Sequence, residues 1–202
     1  HPFDKWCPPS VKLEEKYEAV VRSAVLAYQV YLYNKLIELR FGAEAAAFPL
    51  VYLTAWRMLV TRAALRPGET VLIQAGASGL GMAAIQLVKA LGGTVMTTVS
   101  SEEKATFVRS LGADIVVNRT ADDLVAVMDE HPVDIALDCV SGPELGRCLA
   151  KMAVGGRWIV IATLGGAMTE IDMNTFFRRG IKLIGSTLRS RPPQMKGEIL
   201  AA

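Results

Sequence analysis

Apolar and polar positions follow two different rhythms along this chain. From Ser10 onward, apolar residues recur at steps of three and four, which is the spacing of one face of an α-helix. This stripe predicts a long helix over 11–41 that ends at Gly42. The residues of the stripe are Leu13, Tyr17, Val20, Val21, Ala24, Tyr28, Leu32, Leu36 and Leu39.

A second helix is expected over Leu50–Ala64, after Pro49, and beyond it short apolar runs alternate with helical stretches. The predicted strands are Thr70–Ala75, Thr94–Val99, Asp114–Val117, Val133–Asp138, Arg157–Ala162 and Ile181–Ser186. The helices predicted between them are Leu80–Leu91, Glu102–Leu111, Ala121–Asp129 and Glu144–Met152. Alternating strands and helices predict a doubly wound α/β fold of the Rossmann type, with a parallel sheet covered on both faces. Strand order 3-2-1-4-5-6 would place a ligand across the carboxyl ends of strands one and four.

Composition separates the two regions and excludes some functions. Of the 17 glycines, 16 follow residue 42, so we divide the chain into an N-terminal segment, 1–42, and a nucleotide-binding domain, 43–202. The net charge of +2 carries no basic excess, which argues against nucleic acid. The longest apolar run reaches about half of the ~18 residues that a membrane span needs, and no signal peptide is visible. Three cysteines without a CxxC pair indicate reduced thiols, so a cytoplasmic protein is expected.

A glycine turn between the first strand of the sheet and its helix is the main candidate for chemistry. Gly76, Ser78 and Gly81 occupy the positions of a GxGxxG motif, with serine in place of the middle glycine. Such a turn lets the backbone approach a pyrophosphate, and the helix N-terminus offers free N–H groups. The alternative is a glycine-rich turn with a structural role alone.

The end of the second strand indicates which nucleotide would bind. An NAD site needs an acidic residue there for the ribose 2′-hydroxyl, but this strand ends in Ser100 and Ser101, with Lys104 one turn into the next helix. Arg119 follows the third strand at the same edge. Small hydroxyls beside two cations favour a 2′-phosphate, and so NADPH over NADH. The alternative is that Lys104 and Arg119 are solvated surface charges.

Six stretches, in order, extend these signals into a resemblance over residues 43–202. They read AEAAAFPLVYLTAWRMLV (43–60), LRPGETVLIQAGASGLGMAAIQLVKALGG (65–93), SSEEKATFVRSLGAD (100–114), PVDIALDCVSG (132–142), AVGGRWIVIATLGG (153–166) and LIGSTLRSR (183–191). This region resembles the medium-chain dehydrogenase/reductase superfamily, in its zinc-free quinone oxidoreductase branch. The resemblance implies an NADPH-dependent oxidoreductase that transfers hydride to a quinone or another conjugated carbonyl. It also implies a homodimer joined at a sheet edge.

The resemblance assigns residues to the cofactor. The pyrophosphate would lie against Gly76, Ala77, Ser78, Gly79, Leu80 and Gly81. Ser100, Ser101 and Lys104 match the 2′-phosphate residues, whereas Arg119 stands where the family usually has tyrosine. Thr54 and the loop of Ala162, Thr163, Leu164 and Gly165 match the nicotinamide side, and Ser186–Arg191 would close that end of the site.

The resemblance also has a gap, which keeps other functions open. Residues 1–42 are too short to be the family's substrate domain and do not resemble it, so that domain is expected to be absent. One alternative is therefore an NADP(H)-binding module without turnover. Another is an assembly in which helix 11–41 drives oligomerisation, although simple packing of that helix onto the domain is favoured.

No catalytic residue is assigned from the sequence. Tyr31 and Lys35 match the YxxxK pair of short-chain reductases, but they precede the glycine turn instead of following it. No metal ligands are expected, because the histidines and cysteines lack ligand spacing. Cys139 is expected to be a buried small residue near the cleft. For Asp138, contact with the cofactor and capping of a turn both stay open.

Overall fold

The computed structural model describes residues 51–187. The predicted helix 11–41 and the Tyr31/Lys35 pair lie outside the described residues, as does the part of Ser186–Arg191 after residue 187. Within 51–187, six parallel strands form one sheet in the order β3-β2-β1-β4-β5-β6. This confirms the predicted doubly wound fold and its strand order.

The elements alternate along the chain as the pattern predicts. The strands are β1 Thr70–Ile73, β2 Thr94–Val99, β3 Ile115–Asn118, β4 Val133–Asp138, β5 Met152–Val160 and β6 Lys182–Gly185. Helix α1 is α-helical over 51–56 and continues as a π-helix over Arg57–Arg62. The later helices are α2 Gly79–Ala90, α3 Glu102–Ser110, α4 Leu124–Glu130, α5 Pro143–Leu149 and α6 Met173–Arg178.

Side chains that alternate along the strands build one apolar layer on each face of the sheet. In β1, Val71 and Ile73 belong to the layer that packs against α1, α2 and α3. Leu72, between them, belongs to the opposite layer with Trp158 and the apolar residues of α4 and α5. Because both faces are covered, the central strands are buried throughout, and only the ends of the sheet remain for a ligand.

Most bounds differ from the sequence prediction by one to three residues, and two segments differ in kind. The helix expected to reach Met152 ends at Leu149, and β5 starts at Met152 instead of Arg157. The register between β4 and β5 shifts here, and Gly155 adopts φ +76°, so an irregular stretch joins the ladder that the pattern could not reveal. Helix α6 was not predicted: it has only six residues, and none of them is fully buried.

Between residues 51 and 187 we find no helix that is both long enough and apolar enough to cross a membrane.

Candidate functional site

A cleft opens at the carboxyl ends of β1 and β4, where the strand order reverses. Its lining includes Ser78 and Gly81 from the glycine turn and Cys139 from the turn after β4. The apolar part of the lining is Ile73, Leu80, Leu137 and Ile161. With a cavity volume of about 50 Å³, the cleft encloses a small part of a ligand, so a dinucleotide would lie mostly along the open edge. This is the place where doubly wound folds bind ligands.

The glycine turn is compact because two of its glycines have backbone or side-chain atoms in the space of a Cβ. A Cβ at Gly76 would overlap Oγ1 of Thr97. A Cβ at Gly81 would lie 2.5 Å from the carbonyl oxygen of Ala75 and 2.6 Å from that of Gly76. At Gly79 the nearest atom is 3.6 Å away, on Val51, so the start of α2 is open on that side. The turn therefore needs glycine at the first and last motif positions.

Ser78 explains why the middle glycine of the motif is replaced. It is the N-cap of α2, and its Oγ accepts a hydrogen bond of 3.1 Å from the N–H of Gly81. Within residues 51–187, the N–H groups of Gly79 and Leu80 receive no such cap, and they lie at the exposed start of the helix. These are the donors and the positive dipole end that an anion would meet.

Two buried threonines on β2 hold the turn from behind, and the sequence reasoning missed them. Thr98 Oγ1 accepts from the N–H of Ala75 at 2.9 Å and donates to Gln74 Oε1 at 2.9 Å, while its carbonyl accepts from Gly76. Thr97 Oγ1 donates to the carbonyl of Ile73 at 2.7 Å. The signal was a pair of adjacent threonines near the carboxyl end of the predicted strand Thr94–Val99. These bonds fix the turn, in which Ala75 adopts φ +57°.

The residues predicted for a 2′-phosphate come together at the end of β2. Ser101 caps α3 by accepting a hydrogen bond from the N–H of Lys104 at 3.3 Å. The Nζ of Lys104 donates to Ser100 Oγ at 3.2 Å, so the ammonium group lies at this corner. The N–H of Arg119 donates to the carbonyl of Val99 at 3.0 Å, which places that residue at the same edge. Among the residues 51–187, the guanidinium of Arg119 makes no hydrogen bond or ion pair.

The turn after β4 is organised by Asp138, which is fully buried. Its Oδ1 accepts from the N–H groups of Val140 and Ser141 at 2.7 and 2.9 Å. Its Oδ2 accepts from Trp158 Nε1 at 2.8 Å and from Ser141 Oγ at 3.4 Å. Both oxygens are occupied by the protein, so of the two roles left open for Asp138 the structure supports the capping of a turn.

The nicotinamide-side residues predicted by resemblance lie on two elements. The loop Ala162–Gly165 follows β5 and is joined to the turn after β4, because Leu164 and Gly165 donate to the carbonyls of Cys139 and Val140 at 3.1 and 2.7 Å. Thr54 is half-buried in α1, one helical turn after Val51, which approaches Gly79. Helix α1 therefore runs beside the glycine turn.

Cys139 lines the cleft but is only half-buried, which corrects the expectation of a buried residue. Its Sγ lies 3.7 Å from the carbonyl oxygen of Gln74. Burial and the neighbouring Asp138 carboxylate raise the pKa of the thiol. A raised thiol pKa lowers the fraction of thiolate, which makes Cys139 a poor nucleophile near neutral pH.

Within the described part of the chain, 51–187, no three His, Cys, Asp or Glu side chains are grouped as metal ligands would be. The assignment to a zinc-free branch stays a prediction.

Comparison with known proteins relates this arrangement to an established family. The sequence profile of the family described as zinc-binding dehydrogenase matches residues 79–201, more than half of the chain. The chain is also 37% identical over 120 residues to a component of the phenolphthiocerol/phthiocerol polyketide synthase of Mycobacterium tuberculosis. That match covers 57% of this chain and 6% of the polyketide synthase protein.

Two solved structures are similar in fold. The quinone oxidoreductase of Thermus thermophilus, described with its NADPH complex, has a TM-score of 0.67 and 33% identity. The match covers 78% of this chain and 50% of that one. The CurK enoyl reductase has a TM-score of 0.64 and 27% identity, over 79% of this chain and 49% of that one. The chain thus spans about half the length of these structures.

Proposed function

The chain belongs to the zinc-binding dehydrogenase family, as the resemblance to medium-chain dehydrogenase/reductases predicted, and on that premise we propose that it is an NADPH-dependent reductase of a conjugated carbonyl. The observation that carries the proposal is the arrangement of residues at the carboxyl ends of the neighbouring strands β1 and β2. There an open helix start adjoins a corner of two serine hydroxyls and one lysine ammonium group. The first suits a pyrophosphate and the second suits a 2′-phosphate.

The residues present fit a dinucleotide. A Cβ at Gly76 would overlap Thr97, and a Cβ at Gly81 would meet the carbonyl oxygens of Ala75 and Gly76, so both glycines are needed for the tight turn that a pyrophosphate site uses. The N–H groups of Gly79 and Leu80 would bind the pyrophosphate, with Ala77 and Ser78 beside them. The 2′-phosphate would be bound by Ser100, Ser101 and Lys104, with Arg119 as a second cation.

A bound nicotinamide would supply hydride, and the protein would hold it in place and exclude water. The loop Ala162–Gly165 and Thr54 are the residues we propose for that end of the cleft. Among the side chains of 51–187 near the cleft we assign no proton donor, because the raised pKa of Cys139 makes its thiol a weak acid and both oxygens of Asp138 accept hydrogen bonds from the protein. The proton that completes the reduction, after hydride has added to the β-carbon of an enoyl group or to a quinone, would then come from water or from a group outside the described residues.

Two substrate classes are compatible with this proposal. Quinones are suggested by the similarity to the Thermus quinone oxidoreductase, and enoyl groups by the similarity to CurK and to the polyketide synthase. We favour an enoyl thioester, which is a conjugated carbonyl, because the relative matched in sequence above is a polyketide synthase. A cytoplasmic location remains part of the proposal.

A pairing of two copies at the edge of the sheet is also part of the proposal. Among the described strands, β6 is an edge strand, and its Leu183 is 42% exposed. An edge strand presents unpaired N–H and C=O groups that a second copy can complete. Light scattering on the purified chain would test this, because a monomeric mass at all concentrations would contradict it.

The experiment that tests the function measures binding and turnover separately. The full chain is titrated with NADPH and with NADH by fluorescence, and NADPH oxidation is then followed with a quinone and with a crotonyl thioester. We expect NADPH to bind more tightly than NADH and to be oxidised with the thioester. Binding without any turnover would favour the alternative of a nucleotide-binding module. Absence of binding would contradict both.

A further inference from the structure

The carboxylate of Asp138 lies beneath the cleft and is the described acidic side chain with no solvent exposure at all. Its Oδ1 accepts hydrogen bonds from two peptide N–H groups, and its Oδ2 lies within hydrogen-bond distance of the indole N–H of Trp158 and the hydroxyl of Ser141. These donor–acceptor distances are 2.7 to 3.4 Å. Burial of a carboxylate is costly unless its oxygens are hydrogen-bonded, and here they are. Such a group fixes the geometry of whatever donates to it.

The Asp138 carboxylate fixes a strained turn, the one that follows β4. Ser141 adopts φ +58°, which is unfavourable for a residue with a Cβ, and it is held there by the bonds from its N–H and Oγ to Asp138. Gly142 follows with φ +71°, and a Cβ there would lie 2.5 Å from the carbonyl oxygen of Gly165. The turn after β4 thus contacts the loop after β5 with no space between them.

Three hydrogen bonds join this turn to the loop. Ser141 Oγ is 3.0 Å from the carbonyl oxygen of Ala162, while Leu164 and Gly165 donate to Cys139 and Val140. Because the Ser141 hydroxyl has one proton, it can donate to Asp138 or to Ala162 at any moment, and the shorter distance favours Ala162. Ser141 is therefore the link between the buried carboxylate and the loop: its N–H donates to Asp138, and its hydroxyl donates to Ala162.

We propose that Asp138 is a positioning residue that sets the backbone of Ala162–Gly165 through Ser141, and so determines how the nicotinamide end of the cofactor is held. The inference rests on the proposed function, because it assumes that this loop borders the nicotinamide. Asp138 itself would touch neither cofactor nor substrate. The end of the cleft that we propose for phosphate, at Gly79 and Lys104, is built by β1 and β2 and the helices that follow them, and within 51–187 the Asp138 carboxylate makes no hydrogen bond to it.

The test uses Ser141→Ala in the full chain, with Ser110→Ala as its matched control. Ser110 is exposed near the end of α3, and its hydroxyl donates within the same helix to Phe107 at 2.7 Å. Each variant is titrated with NADPH and with 2′-phospho-ADP-ribose, which lacks the nicotinamide. The fluorescence of bound NADPH, which reports the surroundings of the nicotinamide, is read beside kcat.

For Ser141→Ala we expect 2′-phospho-ADP-ribose to bind as in the wild type, while the fluorescence enhancement of bound NADPH falls. We also expect kcat to drop by at least about tenfold, since a displacement near 1 Å at a reacting centre can cost a hundredfold. Ser110→Ala should match the wild type in all readouts. Unchanged fluorescence and kcat in Ser141→Ala would overturn the inference, and so would an equal loss of both ligands, which would indicate a general structural role.

A second variant, Asp138→Asn, tests the carboxylate directly. If the asparagine oxygen accepts from the N–H groups of Val140 and Ser141, its NH2 group faces the indole N–H of Trp158, so two donors meet. In the other orientation the NH2 group faces the two peptide N–H groups, and donors meet again. In the folded variant we expect 2′-phospho-ADP-ribose to bind as in the wild type. We expect the fluorescence of bound NADPH and kcat to fall further than in Ser141→Ala. A folded Asp138→Asn protein with wild-type fluorescence of bound NADPH would overturn the inference. Failure of the wild type to bind either ligand would contradict the proposed function instead.

Discussion

The guanidinium of Arg157 holds the carboxylate of Glu69 through two parallel hydrogen bonds, Nη1–Oε1 at 2.9 Å and Nη2–Oε2 at 2.8 Å. The Nε of Arg157 donates to the carbonyl of Ala63 at 3.0 Å, and Glu69 also accepts from the N–H of Arg66. The two charged side chains are 15% and 17% exposed. This ion pair thus joins the end of α1, the start of β1 and the middle of β5. It lies toward the amino ends of the strands, whereas the cleft lies at their carboxyl ends.

We expect Glu69→Gln to lower the free energy of unfolding by about 1.5–3 kcal/mol, the usual worth of hydrogen bonds to charged groups. The amide can accept one of the two bonds but leaves Arg157 partly buried without its counter-charge. Urea unfolding measures the change, with Glu130→Gln as the control, because Glu130 is exposed at the end of α4. A loss in the control as large as in Glu69→Gln would contradict this prediction.

The same pair predicts how stability depends on pH. Burial by itself would raise the pKa of Glu69, but the hydrogen bond from Arg157, the N–H of Arg66 and the charge of Arg157 leave that pKa below its usual 4.5. Because the folded pKa lies below the unfolded one, the pair stabilises the protein above the unfolded pKa. That stability is lost as pH falls through the folded pKa. The difference in unfolding free energy between wild type and Glu69→Gln should therefore be constant near neutral pH and shrink in acid; a difference that grows in acid would contradict it.

How far the sequence predicts the fold depends on how sharply each element is marked. Strands β2 and β4 were predicted to the residue, because Gly93 and Pro132 precede them and a serine or cysteine turn follows. The start of β5 was missed because it crosses two glycines in an irregular register. Helix α1 was predicted, but not its π-helical part, in which the N–H of Ala63 donates to Met58 five residues back.

The local geometry of the candidate site could be predicted where its signal lies within a few residues. Glycines at a strand-to-helix turn and serines before a lysine are readable within a few residues. The Asp138 network was not, because Trp158 lies 20 residues away and the link from Ser141 to Ala162 spans 21. Those contacts exist only once β4 and β5 pair, so the residue types alone could not separate a cofactor ligand from a turn cap.

The glycine turn predicts opposite outcomes for two neighbouring glycines. In Gly81→Ala the new Cβ meets the carbonyl oxygens of Ala75 and Gly76 and the Cα of Gly76, all backbone atoms that cannot move without opening the turn. We expect a loss of stability of about 1–3 kcal/mol, as for other overpacked sites, and loss of NADPH binding. Gly79→Ala meets only Val51 at an ordinary distance, so its stability should equal that of the wild type. Thermal unfolding of both variants decides, and equal destabilisation would contradict the geometry.

Lys104→Ala tests the assignment of the 2′-phosphate. Its ammonium group donates a hydrogen bond to the Ser100 hydroxyl, at the place where we expect the 2′-phosphate on the adenosine ribose. We expect the affinity for NADPH to fall about tenfold or more, as for loss of a charge-assisted bond, while the affinity for NADH stays the same. Lys182→Ala, on β6 and exposed, is the control and should leave both affinities unchanged. An equal loss for NADPH and NADH in Lys104→Ala would refute the assignment.

The reactivity of the two described cysteines can locate the bound cofactor without an activity assay. Cys148 is completely buried, and burial together with the charge of Glu144 raises the pKa of its thiol to about 12, so it should react with maleimide only when the protein unfolds. Cys139 is half-buried in the cleft with a raised pKa, so it should react slowly at neutral pH and more slowly still with NADPH present. Peptide mass spectrometry follows each thiol by itself, and urea gives the reference rate for both. Protection of Cys148 by NADPH without protection of Cys139 would place the cofactor away from this cleft.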